Sequence, residues 1–356
     1  MNTNNKTKRV IGVMSGTSLD AIDLVCVDFW QQKSQIQYAI IAAKAYPYLN
    51  EWKSALRKAH ELSPAKLCAL DAAYGNFLGQ KINEFRKDFN LENIDLISSH
   101  GHTILHDPAS GYTLQIGHGA HIQASTQLMV ICDFRAQDVA LGGQGAPLVP
   151  IGDQLLFAHY DACINLGGFA NISFQEKNRR IAFDICPVNF VLNHLAQITG
   201  KEFDRNGEIA ASAKVDNELI HQLNQLEFYD LLPPKSLGRE WVDLHFFPLL
   251  NKSKINIEDK IATCTVHAAE QIAHCINKHQ TATNYFTGGG AKNEFLMAEI
   301  TKRTDKKIII ADDEILEFKE ALIFALLGFL RLEKQINILK SVTGAQRNSS
   351  SGIIYK

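Results

Sequence analysis

Apolar residues along the chain fall into short runs of two periods, separated by turns rich in glycine and small polar residues. Residues 10–14 and 22–29 are β-rich, the second run in near alternation. Ser15-Gly16-Thr17-Ser18-Leu19-Asp20 between them predicts a strand–loop–strand hairpin. Residues 55–89 repeat apolar positions at helical spacing, with a break at Ser63-Pro64, where serine suits a cap and proline a first helical position. Residues 94–98, 113–116, 129–132 and 162–166 read as strands. Residues 171–174 pair with the last of these as a second hairpin, and 181–183 continue it. Helices are expected over 189–199 (stopped at Gly200), 217–225, 259–278, 293–303 and 318–332, with strands at 284–286 and 308–311. Residues 231–236 read as an ordered loop. The polar last ten or so residues, with three consecutive serines, are expected to be partly mobile.

Hairpins leading into helices predict an α/β protein with mixed rather than purely parallel sheets. One long-range echo stands out. Ile11-Gly12-Val13-Met14-Ser15-Gly16-Thr17-Ser18 resembles Ile164-Asn165-Leu166-Gly167-Gly168-Phe169-Ala170-Asn171, each an apolar strand entering a glycine-containing turn and leaving as a second strand.

Composition narrows the function classes. At 356 residues, 46% hydrophobic and 21% charged, the chain has apolar surface enough for two lobes and is not a disordered segment. Lysine plus arginine is 36 against 38 acidic residues, a net charge of −2, so it lacks the basic excess of a general nucleic-acid binder, while a local site for a small anion stays open. The longest nearly pure apolar run, 321–330, is half of the roughly 20 residues a membrane helix needs. The start MNTNNKTKRV is polar and basic, unlike a secretory signal. Seven scattered cysteines, odd in number and without a CxxC pair, read as buried thiols in a reducing cytoplasm. His267, His274, Cys275 and His279 share one expected helix, but their spacing does not stack metal ligands on one face.

Three glycine-bearing turns follow apolar strands: Gly12 to Asp20, Gly167-Gly168 and Gly288-Gly289-Gly290. Each alone is compatible with a tight turn. Together they suit an anion, because glycine lets successive backbone amides approach it. The third leads into a helix whose N-terminus favours a negative group. GxxxxGK[ST] does not occur, and Gly142-Gly143-Gln144-Gly145 lacks the third glycine and the helix of a dinucleotide fingerprint.

Gly12-Val13-Met14-Ser15-Gly16-Thr17-Ser18-Leu19-Asp20 resembles the first phosphate loop of the anhydro-N-acetylmuramic acid kinases, members of the acetate/sugar kinase, chaperone ATPase and actin superfamily. Matching blocks continue in order: His100-Gly101-His102-Thr103, Thr113-Leu114-Gln115-Ile116-Gly117, Asp133-Phe134-Arg135 and Gly142 to Pro150. Asn165-Leu166-Gly167-Gly168-Phe169-Ala170-Asn171-Ile172 resembles the second phosphate loop. Pro233-Pro234-Lys235-Ser236, Gly238-Arg239-Glu240, Gly288-Gly289-Gly290-Ala291, Glu320-Ala321 and Ser341-Val342-Thr343-Gly344-Ala345 complete the series.

The resemblance implies a two-lobed actin-like ATPase fold, each lobe a mixed β-sheet flanked by helices, with the active-site cleft between lobes. It places one lobe at residues 1–137 joined by 333–356, and the other at 138–332. It implies a cytoplasmic, homodimeric, ATP-dependent kinase that opens 1,6-anhydro-N-acetylmuramic acid with water and phosphorylates its 6-oxygen. The product is N-acetylmuramic acid 6-phosphate, in cell-wall recycling. A kinase for another sugar or acid, or an inactive nucleotide-binding regulator, is the alternative. The family's general base matches Asp184, within Phe183-Asp184-Ile185-Cys186-Pro187-Val188-Asn189. ATP would meet Gly16, Thr17, Ser18, Leu19, Asp20, Ala21, Ile22 and Asp23 of the first turn, with Asp20 reaching Mg²⁺ through water. From the second turn it would meet Gly167, Gly168 and Asn171, with Gly288, Gly289 and Gly290 at adenosine. The anionic sugar would meet Arg135, whose fork suits a carboxylate, together with His100, Gln115 and Glu320.

Bland readings stand beside these. Asp184 caps the following helix, Asp23 is the polar side of a strand, Arg135 pairs with Asp133 or Asp138, and Glu320 only opens a helix where negative charge is favourable. Lys235 and Arg239 belong either to the lobe interface or to the site. The chain departs from the family pattern at Ala21, Ile185, Cys186 and Val188, and at His102 and His118, where glutamine and aspartate are common.

Overall fold

The computed structural model describes residues 7–16, 19–33 and 35–356. Its strands are β1 (Lys8–Ser15), β2 (Ala21–Gln32), β3 (Gln35–Pro47), β4 (Leu96–Ser99), β5 (His102–Asp107), β6 (Tyr112–Ile116), β7 (Val130–Cys132), β8 (Ala162–Leu166), β9 (Phe169–Glu176), β10 (Arg179–Pro187), β11 (Thr283–Thr287), β12 (Lys307–Ile310) and β13 (Ile353–Tyr355). The chain divides into two compact units, Met1–Leu156 with Phe318–Lys356, and Phe157–Glu317.

Unit 1 holds a six-stranded sheet in the order β13-β7-β4-β1-β2-β3 and a separate ribbon, β5-β6. Unit 2 holds a five-stranded sheet in the order β10-β9-β8-β11-β12. In both, two antiparallel hairpins occupy one half, and parallel strands extend the sheet from the first strand of the first hairpin. The same order occurs twice, so the echo between residues 11–18 and 164–171 reflects equivalent strands, β1 and β8. This is the mixed α/β, actin-like architecture that the motifs imply.

Why β1 is central follows from its residues. Val10, Ile11 and Val13 are fully buried. A side chain at Gly12 would begin 2.2 Å from the carbonyl oxygen of Ala321, so β1 lies directly on the helix Asp313–Leu332 at its small residues Ala321 and Ala325. The unit 2 core gathers Ile164, Leu166, Ile172 and Phe286 from the sheet with Ile261, Ala269 and Ile272 of the helix Ile257–His279.

Boundaries expected at 137/138 and 332/333 fall inside unit 1 in this division. Asp138, fully buried, accepts from Gly145 N at 2.8 Å and from Thr343 Oγ1 at 2.8 Å, which ties residues 138–145 to the C-terminal segment of the same unit. The helix Pro150–Leu156 follows it there, joined to the helix Asp313–Leu332 by a buried Asp153–Lys319 ion pair of 2.7 Å.

Three strands escape the sequence reading. In β3 the alternation of Ile36, Tyr38 and Ile40 breaks at Ile41, which has no partner between the pairs Cys26↔Ala42 and Val27↔Ile40. β5 carries histidine, threonine and aspartate among its apolar residues. β13 corrects the expectation of a mobile tail. It pairs with β7, and the buried Asn337 accepts from Ser351 N at 2.7 Å and donates to Ser351 O at 2.9 Å. Ser63 stands at the N-cap of the helix Pro64–Asp88, with Pro64 at its first position, but its hydroxyl makes no capping bond. Among the described residues no helix is long and apolar enough to cross a membrane, and no group of three or more His, Cys, Asp or Glu is arranged to hold a metal.

Candidate active site

In unit 2 the expected residues gather at one end of the sheet. β8 and β11 are parallel neighbours, so the turns that follow them, Gly167-Gly168 and Gly288-Gly289-Gly290, leave the sheet side by side. They touch closely. A Cβ on Gly288 would lie 2.6 Å from Asn165 Oδ1 and 2.9 Å from the Leu166 carbonyl, and the φ of +83° there is itself one that glycine adopts most easily. A Cβ on Gly289 would meet nothing within 4 Å, so that residue presents an open backbone. The amides of Val188, Asn189 and Phe190, opening the helix Asn189–Ile198, donate to the carbonyls of Gly167 and Gly168. The turn is thereby fixed to the helix rather than left to solvent.

Register brings Asp184 to the same place. Asn165 pairs with Asn171, and Asn171 with Asp184, so three half-buried polar side chains form a row across β8, β9 and β10. Ile185 bulges out of register immediately afterwards, between Asp184 and Cys186. The segment 231–236, expected as an ordered loop, and Leu237 after it close over Asp184. Leu237 N donates to Asp184 Oδ2 at 2.8 Å, and Asp184 N donates to Lys235 O at 3.1 Å. Burial raises the Asp184 pKa to about 6, against the lowering effect of the Leu237 amide. Asp184 is not the helix cap, since Val188 stands at that position. Lys235 donates its ammonium to Phe228 O at 2.9 Å, while Arg239 forms an exposed pair with Asp243.

Unit 1 holds the first turn and the expected sugar residues. Leu19 N donates to Gly16 O at 3.3 Å, and Leu19 takes a φ of +61°. Asp20 is exposed, and its backbone carbonyl accepts from Tyr48 N at 3.2 Å. Ala21, Ile22 and Asp23 run into β2, where Asp23 pairs with Met14 in the register. Thr17 and Ser18 lie outside the described residues.

His100 and Arg135 meet. Arg135 donates from Nε at 3.1 Å and from Nη2 at 3.0 Å to His100 Nε2, and from Nη1 to Gly145 O at 2.7 Å. The contact of His100 Nδ1 with Gly101 O, 2.9 Å, then carries the ring's proton. Burial and the neighbouring guanidinium hold the His100 pKa well below its ordinary value, so the ring is neutral. Burial lowers the Arg135 pKa to about 10, offset by Glu320 and Asp138. Among the described residues Arg135 has no ion pair with Asp133 or Asp138, although the charge of Asp138 is felt there. Of its five N–H groups, one on each terminal nitrogen has no partner among the described residues. Gln115 packs next to Gly101, its side chain 3.3 Å from where a Cβ there would stand, and donates to Thr113 Oγ1 at 2.7 Å. Glu320 is open to solvent yet walled by protein. That desolvation raises its pKa, opposed by Arg135 and Lys319.

Sequence reasoning did not single out Asn165, whose place in the row needs the strand register, and it weighed Asp138 only as a partner of Arg135, not of Gly145 or of Thr343, 205 residues on. It also missed the partners of His102. Ser15 Oγ lies 2.8 Å from His102 Nδ1 and 2.6 Å from Tyr48 OH, and it accepts from Tyr74 OH at 2.9 Å. The neighbouring motif of Ser15 was the available signal, but Tyr48 and Tyr74 carry none.

Comparison with known proteins adds a separate line. A family described as anhydro-N-acetylmuramic acid kinase matches residues 8–356. A relative named anhydro-N-acetylmuramic acid kinase from Francisella tularensis subsp. novicida (strain U112) is 34% identical over 366 residues, 95% of this chain and 96% of its own. One of the same name from Pasteurella multocida (strain Pm70) is 36% identical over 369 residues, 98% of this chain and 97% of its own. Among solved structures, the activator of the 2-hydroxyisocaproyl-CoA dehydratase from Clostridium difficile with bound ADPNP aligns with 92% of this chain and 96% of its own, at 14% identity and a TM-score of 0.45.

Proposed function

The chain belongs to the anhydro-N-acetylmuramic acid kinase family, a family of sugar kinases, and from that premise we propose that it converts 1,6-anhydro-N-acetylmuramic acid and ATP to N-acetylmuramic acid 6-phosphate and ADP. The observation that carries the reading is the row Asn165–Asn171–Asp184 beside two adjoining glycine turns, with a carboxyl whose pKa of about 6 suits a base working near neutrality.

Asp184 takes a proton from the water that attacks the anomeric carbon. The bond from that carbon to the 6-oxygen breaks, and the 6-oxygen forms its bond to the γ-phosphorus as the bond to the β-phosphate oxygen breaks. Positioning and charge neutralisation supply most of such a phosphoryl transfer. Gly167, Gly168 and Asn171 hold phosphate oxygens, Gly288, Gly289 and Gly290 border adenosine, and Gly16, Thr17, Ser18 and the residues through Asp23 hold phosphate oxygens. The two remaining N–H groups of Arg135 take the lactyl carboxylate, with His100, Gln115 and Glu320 beside it. Mg²⁺, which would neutralise phosphate charge, fits Asp20 through water. That carboxylate is exposed, while its backbone is pinned by Tyr48. Cell-wall recycling in the cytoplasm is the setting, and a homodimer the assembly, that the family suggests.

Mass detection after incubation with ATP and the anhydro sugar tests the reading. The expected product has gained one phosphoryl group and one water. Phosphorylation without added water overturns the coupled ring opening. Turnover of a different sugar alone assigns the machinery to another acceptor, as the altered Ile185, Cys186 and Val188 would allow.

A further inference from the structure

Proton counting around Ser15 fixes the tautomer of His102. Ser15, Tyr48 and Tyr74 form a closed triangle of hydroxyl contacts, and Ser15 also meets His102 Nδ1, which makes four contacts for three hydroxyl protons. The hydroxyl triangle and the ring of His102 are buried. Ser15 is 1% exposed, Tyr74 0% and His102 3%. If Ser15 donated to His102, one edge of the triangle would be a bare pair of oxygens pressed together without a proton, which is costly in a buried site. The balanced arrangement runs one way round: Ser15 donates to Tyr48, Tyr48 to Tyr74, and Tyr74 to Ser15. The fourth proton then comes from Nδ1–H of His102.

A neutral imidazole carries one N–H, so Nε2 is left with a lone pair. Burial lowers the His102 pKa to about 4, which keeps the ring neutral in the working range. Nε2 has no hydrogen-bond partner among the described residues, and it is not among the polar atoms sealed from solvent. Its surroundings belong to the site. His102 follows Gly101, which follows His100, the partner of Arg135, and Ser15 adjoins the first glycine turn.

We propose that His102 is a substrate-contacting residue: Ser15, Tyr48 and Tyr74 hold its Nδ1 protonated, so that its Nε2 accepts a hydrogen bond from a hydroxyl or amide N–H of the acceptor sugar. Ser15, Tyr48 and Tyr74 are positioning residues acting through it. Arg135 recognises an anionic group, and His102 adds a demand for a donor on the same ligand. The inference deepens the kinase reading and rests on it for the identity of the sugar.

Two-bond proton–nitrogen NMR of the ¹⁵N-histidine-labelled full chain tests the tautomer without any ligand. His102, assigned by its absence from the His102→Asn spectrum, is expected to show protonated Nδ1 and bare Nε2 between about pH 6 and 8. The opposite tautomer overturns the proposal. Titrating the anhydro sugar, then a panel of amino sugars, should move the Nε2 signal while Nδ1 stays. No response from any of them also overturns it. Kinetics supply the second arm. Asn at 102 keeps a donor for Ser15 and removes the Nε2 acceptor, so His102→Asn should lower kcat/KM for the sugar roughly tenfold, the worth of one hydrogen bond, with KM for ATP unchanged. His102→Gln, whose oxygen reaches the Nε2 position, should recover part of that loss. Wild-type kcat/KM in His102→Asn refutes the contact. Absence of turnover by the wild type instead refutes the kinase reading, and the NMR arm still decides the role of His102.

Discussion

Unit 1 and unit 2 repeat one strand order, yet the equivalent register positions next to their glycine turns hold different chemistry. In unit 2 the row is Asn165, Asn171 and Asp184, polar throughout. In unit 1 the last pair but one of the β1–β2 hairpin, the place Asn165–Asn171 takes in β8–β9, gives the row Met14, Asp23 and Ala45. Unit 1 carries further ionisable groups at His100, on the turn after β4, at His102, which opens β5, and at Arg135. The same cause then acts with opposite sign. Desolvation raises the carboxyl of Asp184 to about 6, while it depresses His100, brings His102 to about 4 and lowers Arg135 to about 10. A repeated scaffold carries a raised carboxyl in one unit and neutral imidazoles with a cation in the other.

The sharpest way to break that division is Asp184→Asn. It can still accept from Leu237 N, so the fold should persist, while sugar-dependent ADP release falls by about 10²-fold or more. Near-normal release would move the base elsewhere. In unit 1, Arg135→Lys replaces a fork held by His100 and Gly145 with a single ammonium. Steady-state kinetics should give a kcat/KM for the sugar lower by roughly 10- to 100-fold, with KM for ATP little changed.

The pH dependence tests the opposite signs. The base proposed at Asp184 can take a proton only when ionised, so kcat/KM should rise with pH through an inflection near 6, and Asp184→Asn should lose that inflection. Stability runs the other way. A carboxyl raised in the folded state binds protons more tightly there than in the unfolded chain. It therefore destabilises the fold in full above about pH 6, and that effect fades as pH falls from about 6 to the unfolded value of about 4. Thermal melts should find Asp184→Asn more stable than the parent at pH 7.5, by roughly 1–4 °C, and equal to it near pH 4.

The smallest contrast concerns two glycines. Gly12→Ala in unit 1 would drive a methyl to 2.2 Å from the Ala321 carbonyl and should lower the melting temperature by several degrees, a cost of about 1–3 kcal/mol. Gly289→Ala in unit 2 meets open space and should leave the melting temperature unchanged while raising KM for ATP, because the added methyl stands where adenosine is expected.

Much of this was legible in the chain. Alternation and turn residues located β1, β2, β8 and β9, and β8 matches its expected span of 162–166. The three glycine turns and Asp184 were named from their motifs. The row through Asp184 was not, because it depends on how β8, β9 and β10 align and on the bulge at Ile185. Nor did composition reveal β13, which is held by β7 and Asn337 rather than by any apolar pattern of its own.

Periodicity and turn chemistry act over a few residues, so the sequence by itself determined the alternation of strands and helices, the places where the backbone turns, and the supply of an acid and a cation. Only the tertiary structure decided which of these groups meet. Ser15 finds Tyr48, Tyr74 and His102 at separations of 33, 59 and 87 residues, and Arg135 finds His100 at 35. Hydrogen-bond partners so distant are chosen by packing, and packing also sets the dielectric surroundings that move their proton affinities.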